Sequence, residues 1–295
     1  MSLNFTPEDQ QRALMMKRLF ILFATMVIGL LIVGVLTMIL GTGTTKMLRL
    51  STLFQDIFMF ILPAVATAML SSHLPANFLC ISKGFTLQAL LVAVLLMIVS
   101  VPFQNAVIHW NETLSLPESM ASVEAWMKAA EERAQQNIGV LMGGTSVPDL
   151  IVSILIVGVL AALSEELFFR GALQRILQGN GAKAHMAIWT AAVIFSAFHL
   201  QFYGFFPRLL LGAFFGYLLW WSGSLWLPVT VHAFNNIIVV TSDWHARRYA
   251  TDNISESLGN SSIAVILLSM VLTAAALVTL RRVCLSQKSG QQGQD

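Results

Sequence analysis

Charge is scarce in this sequence: acidic and basic side chains together make up 11% of its 295 residues, less than half of the roughly 25% that covers a typical soluble domain. A water-soluble globule of this length is therefore excluded. Cysteine is nearly absent, with only Cys80 and Cys284. No CxxC occurs, so neither a disulfide framework nor a thiolate metal centre is indicated, and both residues read as small apolar side chains. Lysine and arginine never run longer than a pair and the formal net charge is only +2, which removes the basic footprint of a nucleic-acid binder. No nucleotide-binding glycine pattern appears either. The GxxxG of Gly212 to Gly216 reads instead as a place where two helices approach closely.

What remains is apolar. Hydrophobic residues make up 56% of the chain, and the mean hydropathy is +0.74. Apolar runs of about eighteen or more residues recur, each able to cross a hydrocarbon core of about 30 Å. The expected fold class is all-α, a polytopic transmembrane helical bundle of about eight spans. The first, Leu19–Leu40, follows Lys17 and Arg18 but is too long for a signal h-region and has no small-residue cleavage site behind it, so it reads as an uncleaved helix. The next are Leu53–Leu70, interrupted by Pro63 and carrying Asp56, and Phe85–Val101, closed by Pro102. The fourth starts at Pro148 and runs through Glu165 and Glu166 to a turn at Gln178-Gly179-Asn180-Gly181. His185–Phe202, Pro207–Trp221, Leu225–Thr241 and Ile263–Leu280 complete the set, with Trp220, Trp221 and Trp226 as interfacial aromatics and a disordered polar tail from Ser286 to Asp295.

Between the third and fourth spans lies a polar connection, Phe103 to Thr145. Inside it, Met120, Val123, Trp126, Met127 and Ala130 recur at helical spacing opposite Glu124, Lys128, Glu131, Glu132 and Arg133. This predicts an amphipathic helix lying on the membrane surface or on the protein. The organisation expected is an N-terminal transmembrane region with this helix (1–146), a core (147–245), and a final helix with its tail (246–295). Both termini are expected on the cytoplasmic side, because Arg12, Lys17, Arg18, Lys83, Arg170, Arg175, Lys183, Arg281 and Arg282 then outnumber the loop charges opposite, Lys46, Arg49, Arg208, Arg247 and Arg248.

Ionisable residues inside spans cost about 2.5–3.5 kcal/mol each on insertion scales, which makes them functional candidates. They gather in the second half: Glu165, Glu166 and Arg170 on the fourth span, His199 on the fifth, and His232 with Asn235 and Asn236 on the seventh. Counting back from the connecting turns at 1.5 Å per residue sets Glu166 and His199 about 21 and 27 Å along antiparallel helices. It also places His199 and His232 roughly 9 Å below one common face, nearer the turn between the fifth and sixth spans. Glu166 and Arg170 form an acid-first i,i+4 pair that neutralises itself. Glu165, about 100° around the helix, is left as the carboxylate available as a general base. His232 and Asn236 share a face suited to oxyanion hydrogen bonds or a metal. Asp56, isolated beside Gln55, reads as structural or interfacial. His73, His109, His185 and His245, near span ends, read as interfacial, and Asn235 points away from Asn236.

Glu165-Glu166-Leu167-Phe168-Phe169-Arg170, Phe195-Ser196-Ala197-Phe198-His199 and His232-Ala233-Phe234-Asn235-Asn236 together resemble EExxxR, FxxxH and HxxxN, the three motifs of the CPBP family of intramembrane proteases. That family includes the type II CAAX prenyl endopeptidases and bacterial abortive-infection and lysostaphin-resistance proteins. The resemblance covers Leu150 to Val240. It implies an intramembrane endopeptidase with a cytosolic opening, in which Glu165 activates water with Glu166 and Arg170 in support. His199 is then expected to bind or orient the water, and His232 with Asn236 to stabilise the tetrahedral intermediate. Family members are often called metalloproteases, yet no HExxH or HxxEH occurs here. Zinc on Glu165, His199 and His232 and metal-free glutamate–histidine chemistry both stay open. Metal-free chemistry is preferred, because the i,i+4 partner of His232 is an amide. The expected partners are the lipid bilayer and a membrane-associated protein or peptide, with no nucleic acid, and the expected location is a bacterial inner membrane.

Two other functions use the same residues. A proton-coupled transporter would relay protons through these acids and histidines, but the polar groups occupy one half of the chain with no matching broken helix in the other. A non-catalytic scaffold or immunity protein on the same fold is the second alternative, since fold alone does not establish activity.

Overall fold

The computed structural model describes residues 6–41, 43–179, 183–251 and 262–292, with side chains as far as Gln287. Among these the chain is helical, with no strand. Helix α1 (Pro7–Leu40) starts at a reciprocal Thr6–Asp9 capping box, with proline in its first turn. It buries only a stripe of Leu22, Met26, Gly29 and Val33, leaving the rest of its apolar surface for lipid.

Helix α2 (Thr45–Ser71) is continuous through Pro63. A π-helical stretch, Asp56–Ile61, immediately precedes that proline, and the widened turn absorbs the missing donor and ring. Pro102 acts differently from expectation. It does not close the third span but sits in the first turn of a new helix, so α3 (Leu87–Val99) and α4 (Val101–Glu112) form one bent pair with an angle of 49°. Helix α5 (Ala121–Leu141) is the amphipathic segment. Helices α6 (Val147–Gln178), α7 (Ala184–Phe198), α8 (Phe205–Ser222), α9 (Trp226–Tyr249) and α10 (Ile263–Gln292) follow.

Among the described residues, five helices are long and apolar enough to cross a membrane, or six if the bent pair is one span. This is an integral, multi-pass membrane protein. The two helices separating that number from about eight are α7 and α9. Helix α7 ends four residues before the expected Phe202; its 15 residues reach only about 22 Å at 1.5 Å each. Helix α9 is long enough at 24 residues, but His232, Asn235 and Asn236 dilute its apolar character. The tail departs from expectation too: α10 stays helical to Gln292, while 293–295, like Asn180 and Gly181 of the expected turn, lie outside the described residues.

Helix α5 is turned only partly as its apolar face predicts. Met127 and Ala130 of that face are half-buried, but so are Glu124 and Glu131 of the polar one, whereas Val123 and, just before the helix, Met120 are exposed. Polar partners explain the choice. Glu131 accepts from Gln201 Nε2 at 3.1 Å, Glu124 accepts from the Leu116 amide at 3.2 Å, and Trp126, though half exposed, leans on Phe202 with ring centroids 5.4 Å apart. The Lys128 ammonium, bonded to Glu124, holds that carboxyl below its usual range.

Two cores organise the bundle. One joins α1 and α2 to α6, α7 and the start of α9 through Leu22, Phe60, Phe168, Phe169 and Phe195. The other joins α3, α8, α9 and α10 through Ala93, Phe215, Val231 and Leu280. The tightest approach between the first two helices is at Gly29, where a Cβ would stand 1.9 Å from the Phe58 carbonyl oxygen. Gly29→Ala must push α1 away from the π-helical part of α2. It should destabilise the protein by about 1–3 kcal/mol, as overpacking does, read as a lower midpoint in thermal unfolding in detergent, while Gly34→Ala, in open space, should not.

Candidate active site

Helix α6 carries the first motif in an irregular stretch. Two π-helical segments, Ile154–Leu160 and Glu166–Gln174, flank a short α-helical piece, Ala161–Glu165, so Glu165 closes that piece and Glu166 opens the next segment. Such widened turns are frequent at functional sites. Glu166 is fully buried, and its Oε1 accepts two hydrogen bonds, from Arg170 Nη1 at 2.8 Å and from His232 Nδ1 at 2.8 Å. The i,i+4 pairing of Glu166 with Arg170 is thus present, but the same oxygen also reaches across to α9.

Arg170 is held on every side. Its Nη2 donates to the Gly212 carbonyl at 3.0 Å, and its guanidinium lies over the Phe195 ring at 4.4 Å and near Phe215 at 5.5 Å. One turn on, Gln174 Nε2 donates to the Gly216 carbonyl at 3.1 Å. The GxxxG pair therefore does permit close approach, for side chains reading its backbone: a Cβ on Gly212 would stand 3.2 Å from Arg170 Nη2, and one on Gly216 2.6 Å from Gln174 Oε1.

A carboxylate oxygen can only accept, so His232 Nδ1 carries a proton toward Glu166 and neutral His232 keeps its lone pair on Nε2. That nitrogen faces Glu165 Oε2 at 3.8 Å. Phe215 stacks on the imidazole, with centroids 4.6 Å apart and planes 20° apart. Glu165 is the open member of the set, its side chain 19% exposed against 0% for Glu166. His199 follows the last turn of α7. Its Nδ1 donates to the Phe195 carbonyl at 2.9 Å, which leaves its Nε2 as a second lone pair, within electrostatic range of Glu165. Directly after it, Leu200 adopts φ +52°, a left-handed conformation that costs a branched side chain about 1–2 kcal/mol and turns the chain away from the histidine.

The structure thus brings Glu165, Glu166, Arg170 and His232 into one cluster with His199 beside it. Asn236 lies a turn beyond His232, and its Nδ2 donates to the Val157 carbonyl at 3.2 Å, in the first π-helical segment of α6. Asn235 is not turned away as expected, since its Nδ2 is 3.4 Å from Asn236 Oδ1. Among the described residues no group of three or more His, Cys, Asp or Glu side chains is gathered closely enough to hold a metal ion. Glu165, His199 and His232, weighed from the sequence as zinc ligands, do not form such a group as placed.

Two residues near the cluster escaped the sequence reading. Asp56 of α2 is not isolated: it is 3% exposed and accepts from Ser164 Oγ at 2.9 Å. Its bare cost inside a span was the available signal. Arg208 of α8, counted as a loop charge, is half-buried and donates from Nη1 to Gln201 Oε1 at 3.3 Å, within electrostatic range of Glu165. Nothing in its local sequence distinguishes it.

Residues 147–238 match the family model described as type II CAAX prenyl endopeptidase Rce1-like. In this segment the chain is similar to that family. The segment contains each of Glu165, Glu166, Arg170, His199, His232 and Asn236. A curated relative, "Uncharacterized protein YpbD" of Bacillus subtilis (strain 168), is 31% identical over 91 residues, covering 30% of this chain and 41% of that protein. The chain thus spans about two fifths of the length of that relative. No solved structure matches. The Rce1-like segment corresponds to α6 through most of α9, the helices that build the cluster.

Removing one partner of a buried pair leaves the other charge stranded, which typically costs about 3–5 kcal/mol. Arg170→Ala should therefore lower the thermal unfolding midpoint strongly. Arg170→Lys should recover only part of it, because a lysine cannot bond Glu166 and Gly212 in one plane.

Proposed function

We propose that the Rce1-like segment is the catalytic core of an intramembrane endopeptidase of the CAAX-protease type, hydrolysing a peptide bond of a membrane-associated protein or peptide. The observation that carries this reading is the pair of lone-pair acceptors aimed at one point: Glu165 Oε2 and His232 Nε2, 3.8 Å apart. That gap is too long for a direct hydrogen bond. One water can reach both at about 2.8 Å, with an angle of roughly 85° between the two bonds.

A water that donates one proton to Glu165 and the other to His232 presents its oxygen lone pairs to an incoming carbonyl carbon. Glu165 takes the proton as the carbon–oxygen bond forms, then delivers it to the departing amide nitrogen as the carbon–nitrogen bond breaks. Glu166 fixes the tautomer of His232, which makes its Nε2 an acceptor for water and not a donor to the oxyanion unless the ring is protonated. The donor to the developing oxyanion is then Asn236, whose Nδ2 holds a second proton besides the one on Val157. His199 Nε2 accepts from the substrate amide N–H, since both protons of the water are already given to Glu165 and His232. No step is routed through a metal, because the donors as placed do not gather around one. The location proposed is a bacterial plasma membrane, which the Bacillus relative supports.

Membranes carrying the wild type and Glu165→Gln should differ by a set of cleaved peptides, found by mass spectrometry, with both proteins inserted at equal level. Identical peptide profiles would remove the hydrolase and leave the scaffold or transporter reading. On a peptide found this way, Asn236→Ala should lose roughly 10²–10³ in rate, as loss of one oxyanion donor does. Wild-type activity should survive exhaustive chelation, and stoichiometric zinc lost and regained together with activity would overturn the metal-free assignment.

A further inference from the structure

A buried polar contact ties the first half of the chain to the residue just before Glu165. Asp56 opens the π-helical stretch of α2, Ser164 immediately precedes Glu165 on α6, and the Ser164 hydroxyl lies 2.9 Å from Asp56 Oδ1. It also lies 2.9 Å from the carbonyl of Ala161 in its own helix. Both side chains are buried, Ser164 at 0% and Asp56 at 3% exposure, and Asp56 Oδ2 has no hydrogen-bond partner among the described residues. From the direction of its neighbour Glu165, Ser164 is turned about 100° around α6. It points to α2 while Glu165 points to His232.

We propose that Asp56 is a positioning residue for Glu165, acting through Ser164 to fix the rotation of α6 about its own axis. The proposal rests on Glu165 being the group that activates water. The need for such a device follows from the helix itself. Glu165 ends a five-residue α-helical piece between two π-helical segments, so the backbone ladder changes register on either side of it and its azimuth depends on how that junction is held. A side-chain group about 6 Å from the axis moves about 2 Å when the helix turns by roughly 20°. A misplacement of about 1 Å can cost on the order of 10²-fold in rate. Glu166 is held by two donors of its own, whereas no hydrogen bond to the Glu165 carboxylate accompanies the 3.8 Å approach of His232. The Ser164–Asp56 contact is the polar restraint next to it in sequence, and it comes from a different helix.

The test uses full-length protein purified in detergent and native membranes. Dicyclohexylcarbodiimide, which reacts with carboxyl groups in apolar surroundings, reports on Glu165 by mass spectrometry without any substrate. Ser164→Ala should change the labelling rate at Glu165 by at least threefold and lower release of the wild-type-specific peptides about tenfold, with an unfolding midpoint within a few degrees of wild type. Asp56→Leu should behave alike. Adding Ser164→Ala to it should bring no further loss, since either change removes the same link. Asp56→Asn, which keeps an oxygen for the serine hydroxyl, should restore at least half of what Asp56→Leu loses. Unchanged labelling and release in Ser164→Ala would overturn the proposal, as would additive losses in the double variant. If Glu165→Gln leaves peptide release unaltered, the hydrolase reading falls instead, and the carbodiimide comparison alone decides whether Asp56 positions Glu165.

Discussion

One oxygen atom, Glu166 Oε1, organises the second half of this protein. Buried in an apolar bundle, a carboxylate oxygen must find donors or carry a large desolvation cost. It finds two, Arg170 from its own helix and His232 from α9. Each donor brings obligations. The guanidinium needs a second acceptor, supplied by Gly212, and flat apolar faces around it, supplied by Phe195 and Phe215. A side chain at 212 would press on the Phe195 ring at 3.0 Å and on the guanidinium at 3.2 Å. The imidazole, its Nδ1 committed, must turn Nε2 toward Glu165. Helices α6, α7, α8 and α9 are thereby fixed to one another around a single acceptor, by donors matched in direction as well as in charge.

The two adjacent glutamates divide naturally under that constraint. Reading the helix as regular puts them about 100° apart and suggests that only one can serve the site. In the structure both approach the same imidazole, from its opposite nitrogens, at 2.8 and 3.8 Å. The ring is wide enough for neighbouring residues to meet its two edges, and the junction between α-helical and π-helical turns falls between them. The buried glutamate sets tautomer and orientation; the more open one can meet water.

The apolar runs and the three ordered motifs made the class of fold and the core of the cluster readable from sequence, because hydropathy and i,i+4 spacing are local properties. Contacts set by distant packing were not readable. Asp56 looks isolated along α2, and only the crossing of α2 with α6 supplies Ser164. Arg208 lies at the start of an apolar helix, where charge counting assigns it to a loop; Gln201, on the turn after His199, draws it inward. Helix α5 shows why a correct helical period can give only part of the buried face. The period fixes which residues share a side, but Gln201 and the Leu116 amide decide that Glu131 and Glu124 turn toward the protein while Met120 and Val123 stay outside. The shortness of α7 and the polarity of α9 have a related cause, since the side chains that build the site are the ones that weaken these helices as spans.

The same reasoning assigns the first half of the chain a physical task. Membrane helices gain little from apolar contact with one another, since lipid tails are equally apolar, so their mutual placement relies on close packing and a few polar links. Here the links from the first half converge on the elements that carry the cluster. Gly29 lets α1 sit against the π-helical part of α2, that part presents Asp56 to Ser164, and α5 meets the turn after His199 through Glu131 and Trp126. The second of these links ends next to Glu165 and the third two and three residues after His199, while Gly29 acts on them only through α2. The motifs supply the clustered polar groups, and the earlier helices pack against the segments that carry them.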